Sequence, residues 1–173
     1  MKLAPYAVAL RADVFDPTSA GPSGSHSTET SSDASGAELL AAGRFILLHD
    51  PAGQETWGGT FRVVIYIRAE LDAEMADDPL LAEVAWTWLS DSLDQCGVER
   101  VHTGGTATRI LSQSFGSLQD RPASRTVELR ASWTPADSPI GGHLEAWADM
   151  VCSFAGLPPL PDGVVALPHV RRN

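Results

Sequence analysis

Thr60 to Leu71 reads TFRVVIYIRAEL, the longest β-favouring run in the chain, rich in Val, Ile, Phe and Tyr and free of Gly and Pro. Side chains alternate along a strand, so Phe61, Val63, Ile65, Ile67 and Ala69 share one face, while Arg62, Val64, Tyr66, Arg68 and Glu70 share the other. The first set is a core face. The second is charged at its ends and apolar in its middle, which predicts a sheet centre with one packed side and one half-wet side.

Outward from this strand, Gly43 to His49 (GRFILLH) reads as an earlier strand, and Asp50 to Gly59 (DPAGQETWGG) as the turn joining the two in an antiparallel pair. Tyr6 to Val14 alternates apolar and mixed positions and reads as a first strand. Between them, residues 17–37 are dominated by Ser, Thr, Gly and Ala, a composition that predicts a disordered loop. After Leu71, Asp77 or Asp78 with Pro79 opens a helix, and Gly97 closes it. Leu81, Ala85, Trp88, Ser92 and Cys96 recur along it at helical spacing, flanked by Val84, Leu89 and Leu93.

Val98 to Phe115 holds a fourth strand, read as two short pieces broken at Gly104-Gly105. Thr126 to Trp133 (TVELRASW) alternates cleanly, with Val127, Leu129, Ala131 and Trp133 inward and Glu128, Arg130 and Ser132 outward. A second helix over residues 140–155 aligns Ile140, Leu144, Trp147, Val151 and Phe154, and the segment 157–173 reads as an extended, Pro-rich tail. The order βββ-α-ββ-α predicts a single α+β domain, a mostly antiparallel five-stranded sheet with two helices on one face.

The chain has 173 residues and a formal net charge of −10, which argues against nucleic acid or an anionic membrane as the main partner. Cys96 and Cys152 lie in helical stretches without metal-ligand spacing and read as buried free thiols of a reducing cytosol. The N-terminus lacks the pattern of a signal peptide, and no apolar run approaches the roughly 20 residues that span a bilayer. A cytoplasmic location is expected.

His49 and Asp50, with Glu55 and Trp57 nearby, form the candidate ligand or catalytic site, since a histidine beside carboxylates can act as a general base. The competing reading is a hairpin turn in which Asp50 bonds its own backbone. Arg62, Arg68, Arg109, Arg130, Glu70 and Glu128 occupy outward strand positions, where they either bind an acidic ligand or pair with one another. Complete phosphate-loop and dinucleotide fingerprints are absent, and neither His102 before Gly104-Gly105 nor His143 carries a metal pattern, so no cofactor or metal is expected. The centre of the half-apolar strand face, Val64 and Tyr66 bordered by Arg62 and Arg68, reads as a candidate interface.

The strings LAPYAVAL, GRFILLHDPAGQETWGGTFRVVIYIRAEL, DPLL with WTWL, SFG before RP, RASWTP, HLEAW and AGLPPLPDGVVALP together resemble the actinobacterial domain-of-unknown-function family 3000. The resemblance implies a cytoplasmic actinobacterial protein and supplies no activity or catalytic residues. It also implies a helix ahead of the LAPYAVAL strand, which Met1 immediately precedes. With that helix the order becomes α-βββ-α-ββ-α, similar to type III secretion chaperones and YbjN-like proteins, which bind other proteins and often dimerise. The leading expectation is therefore a non-enzymatic protein-binding domain, adaptor-like or chaperone-like, that forms a homodimer. The alternative is a small-molecule binder or enzyme using His49, Asp50, Glu55 and Trp57.

Overall fold

A computed structural model describes residues 3–16, 37–72, 76–136 and 139–156. The predicted disordered loop, apart from its last residue, and the predicted Pro-rich tail lie outside the described residues. Strands β1 (Tyr6–Phe15), β2 (Leu39–Gln54) and β3 (Gly59–Glu70) come first, then helix α1 (Leu81–Gln95). Strands β4 (Arg100–Ser112) and β5 (Ser124–Pro135) and helix α2 (Ile140–Phe154) complete the order. This is the α+β arrangement that the sequence predicts.

All pairings are antiparallel, and the sheet order is β1-β2-β3-β5-β4. β3 and β4 are not neighbours, so α1 carries the chain across the sheet to its far edge and β5 returns beside β3. The alternation of β3 decides which side is packed. Val63, Ile65, Ile67 and Ala69 are buried with Val127, Leu129, Ala131 and Trp133 of β5 and Ala41 and Phe45 of β2. Both helices lie on this side: α1 contributes Leu81, Ala85, Leu89 and Leu93, and α2 contributes Ala146, Trp147, Met150, Val151 and Phe154. Each such large side chain removed from water is worth about 1.5–3 kcal/mol, so this layer carries most of the stability.

Trp88 and Cys96, expected on the main core stripe of α1, are only partly buried, because the arc through Leu89 and Leu93 faces the sheet instead. In α2 the buried arc includes His143, whose Nδ1 accepts a hydrogen bond from Trp133 Nε1 at 2.9 Å. Tryptophan can only donate there, so the histidine completes the core and is not offered as a ligand. Both cysteines are free, as expected, and half-buried. Burial, then Asp149 and Glu145, pushes the Cys96 thiol up from its ordinary value. No helix among the described residues is long and apolar enough to cross a membrane.

Two strands differ from expectation. β4 is one strand rather than two pieces, and its irregularity lies between Val101 and Gly104, not at the glycine pair. His102 sits inside that bulge with a φ of 53°, a conformation that few residues other than glycine adopt. β2 runs through Asp50-Pro51 to Gln54 before the chain turns at residues 55–58. Its register with β3 slips between His49 and Gln54, because Asp50 Oδ1 accepts the Ala52 N–H and Oδ2 accepts from Gln54 Nε2, both at 3.1 Å.

Candidate functional site

The side of the sheet turned away from the helices is where polar chemistry collects. Among the described residues no helix lies over it. Residues directly opposite one another in antiparallel strands share a face, so the registers place the side chains in rows that cross the sheet. One row runs Arg11, Arg44, Tyr66, Arg130 and Thr106. The row on one side of it is Ala9, Ile46, Val64, Ser132 and Gly104, small or apolar throughout. The row on the other side holds Asp13, Ala42, Arg68, Glu128 and Thr108.

Glu128 organises the charged part. It is only 6% exposed, yet it accepts a bond from the Tyr66 hydroxyl at 2.8 Å, pairs with Arg130 Nη2 at 2.8 Å and lies 3.5 Å from Arg68 Nη1. The Arg130 guanidinium also stands over the Tyr66 ring, 5.3 Å from its centroid. Burial raises the Tyr66 hydroxyl above the ordinary phenol value, and the bond to Glu128 acts in the same direction. A buried carboxylate with this many donors is satisfied, so two of the three charges of this cluster are positive and face outward.

Arg62, one of the predicted interface residues, has a different role. Its guanidinium donates to the His102 carbonyl at 3.1 Å, to Thr134 Oγ1 at 3.1 Å and to Ser132 Oγ at 2.7 Å, which pins the β4 bulge against β3. Burial lowers its pKa from the ordinary arginine value. Thr134 Oγ1 in turn donates to the Trp57 carbonyl at 2.6 Å and ties the hairpin turn to β5. Trp57 thereby folds back over the uncovered face and forms a small second core with Ala4 and Leu48, against which Ile46 and Val64 pack.

The predicted quartet of His49, Asp50, Glu55 and Trp57 is not gathered around a common point. His49 stacks on Phe61 with ring centroids 4.2 Å apart, and its Nδ1 lies 3.2 Å from the Thr60 carbonyl oxygen. Asp50, the next residue on the strand, points to the opposite face and bonds its own turn. Glu55 is exposed in that turn, and Trp57 is buried. Arg109, read as outward with Arg62, Arg68 and Arg130, is opposite Val127 and so lies on the helix side, where it donates to the Asp78 carbonyl at 2.9 Å. Among the described residues no group of His, Cys, Asp and Glu could hold a metal ion.

Two arginines escaped the sequence reading. Arg11 and Arg44 are directly opposed across β1 and β2, and with Tyr66 and Arg130 they rim a shallow hollow of about 450 Å³ floored by Ile46 and Val64. Arg11 is paired with Asp13 at 2.8 Å, whereas Arg44 is exposed and meets no carboxylate among the described residues. Single residues in a β1 or β2 run carry no sign of this; only the register brings them together.

No curated protein and no solved structure matches the chain. A family model described as protein of unknown function (DUF3000) matches residues 1–165, in agreement with the resemblance read from the sequence. The chain is therefore a member of the DUF3000 family.

Proposed function

We propose that this protein is a protein-binding module, adaptor-like or chaperone-like, and that its binding surface is the sheet face turned away from the helices. One observation carries the reading. Ile46 and Val64, half-buried beside the small core under Trp57, form the apolar floor of a hollow rimmed by arginines on a face that no helix covers among the described residues. Part of that floor packs under Trp57, and the part left reachable inside a charged rim has the layout of a core-and-rim surface. Val64, Tyr66 and Arg68 belong to this surface, and Arg62 supports it from below. A catalytic reading through His49, Asp50, Glu55 and Trp57 has no comparable support, since these side chains diverge. A homodimer through the same face would set two arginine-ridged surfaces against each other, which like charge disfavours.

Paired affinity capture tests the reading, with the wild type and the double substitution Ile46→Lys with Val64→Glu as baits. These two positions are directly opposed, so the new charges form a pair of opposite sign at the edge of the small core. Proteins captured by the wild type should be lost from the variant while its circular dichroism stays native. Capture of the same proteins by both baits would overturn the proposal.

A further inference from the structure

We infer that the partner segment received by this face is acidic, with apolar residues interleaved among its carboxylates; the inference rests on the protein-binding reading and specifies its chemistry. Arginines stand at three of the five positions of the central row, and the row has no carboxylate, on a chain whose net charge is −10. Placing Arg11 directly opposite Arg44 is unfavourable for the fold, because like charges facing across strands repel. Arg44 has no compensating carboxylate among the described residues. Arg130 is paired with Glu128, which it shares with Arg68, so one carboxylate faces two arginines; the Tyr66 ring supports Arg130, and the group remains exposed.

The arginines are spread along a row, not converged on a point. Neighbouring strands are about 4.8 Å apart, so Arg11 and Arg44 are one strand step apart and Arg44 and Arg130 are two. That spacing suits a series of separate carboxylates on an extended chain better than a single compact anion. Alongside runs the trough of Ile46 and Val64, which accepts aliphatic or aromatic side chains of the same segment. Arginine forks add bidentate geometry to the charge, and charge pairs at such a rim act mainly on association rate and salt dependence.

The test is fluorescence anisotropy of the full chain with a short labelled peptide of alternating glutamate and leucine, beside the same peptide carrying lysine for glutamate. The acidic peptide should bind, the basic one should not, and affinity should fall as salt is raised. Arg44→Gln should weaken binding several-fold and Arg44→Glu by about tenfold or more. Both variants should fold, since Arg44 is exposed. Equal binding by the Arg44 variants, or binding of both peptides alike, would overturn the inference. So would displacement of the peptide by inorganic phosphate at matched charge, since that means a small-anion site. Loss in Arg44→Glu of binding to phosphatidylserine vesicles, or of a wild-type dimer seen by sedimentation, would assign the face to a membrane or a second copy and equally overturn it. Failure here with success of the paired capture would leave the protein-binding reading intact; failure of the capture would remove both.

Discussion

At the scale of single residues, Arg44 and Tyr66 are the informative positions. Arg44 is opposed by Arg11 on one neighbouring strand and by Tyr66 on the other. Removing its charge relieves a like-charge contact worth a few tenths of a kcal/mol, so Arg44→Gln should raise the melting temperature by about 0.5–2 °C. Calorimetry of the two proteins side by side reads this directly. A residue whose removal stabilises the fold while weakening binding is retained for something other than folding. Tyr66 gives a pH signature. Its folded-state pKa is raised by burial and by its bond to Glu128, so the stabilisation is fully present below the unfolded tyrosine value of about 10. It is lost as pH rises through the folded value. The melting-temperature gap between wild type and Tyr66→Phe should therefore be constant at neutral pH and close in alkaline buffer. The sequence offered charge pairing among Arg68, Arg130 and Glu128, and the structure has it, but the row of Arg11, Arg44 and Arg130 and the burial of Glu128 were not legible. TVELRASW shows which side Glu128 is on, but not that the Tyr66 hydroxyl bonds it.

At the scale of elements, legibility follows the strength of alternation. β3 and β5 announce both their faces because each has apolar residues at every second position. β4 does not. Its polar residues define no parity, its bulge at His102 resets whatever parity its start implies, and Arg109 consequently lies on the helix side. The turn after β2 was misplaced for a related reason: Asp50-Pro51 is turn chemistry, yet here Asp50 stabilises a bulge within a strand that continues to Gln54. The contact between α2 and β2 is close enough to test the packing. A Cβ at Gly43 would stand 2.4 Å from Val151 Cγ2 and 3.0 Å from Trp147. Gly43→Ala should push α2 off the sheet and cost about 1–3 kcal/mol in chemical denaturation, despite the better strand propensity of alanine. An unchanged midpoint would mean that α2 can shift freely, and that the helix layer is looser than its buried Trp147 and Val151 indicate.

At the scale of the whole molecule, the sheet is asymmetric. Two helices cover one face around Trp133 and His143, except along β1, where Tyr6, Val8 and Leu10 stay exposed; among the described residues the other face is uncovered at its centre, closed at one end by Trp57 and ridged by arginines. The order of elements foretold the layers, but composition could not foretell this charge distribution, because a net charge of −10 says nothing about where the positive residues gather. The resemblance read from the sequence and the family match over residues 1–165 agree on membership while leaving the activity to be argued from the site itself. On the proposed reading, the open face takes a protein partner. The most direct measurement places a photo-crosslinking amino acid in turn at Thr106, beside Arg130 on the open face, and at Glu83 and Glu145 on the exposed backs of the helices. The account predicts protein adducts from position 106 and none from positions 83 and 145; adducts from the helix positions alone, or equally from all three, would contradict it.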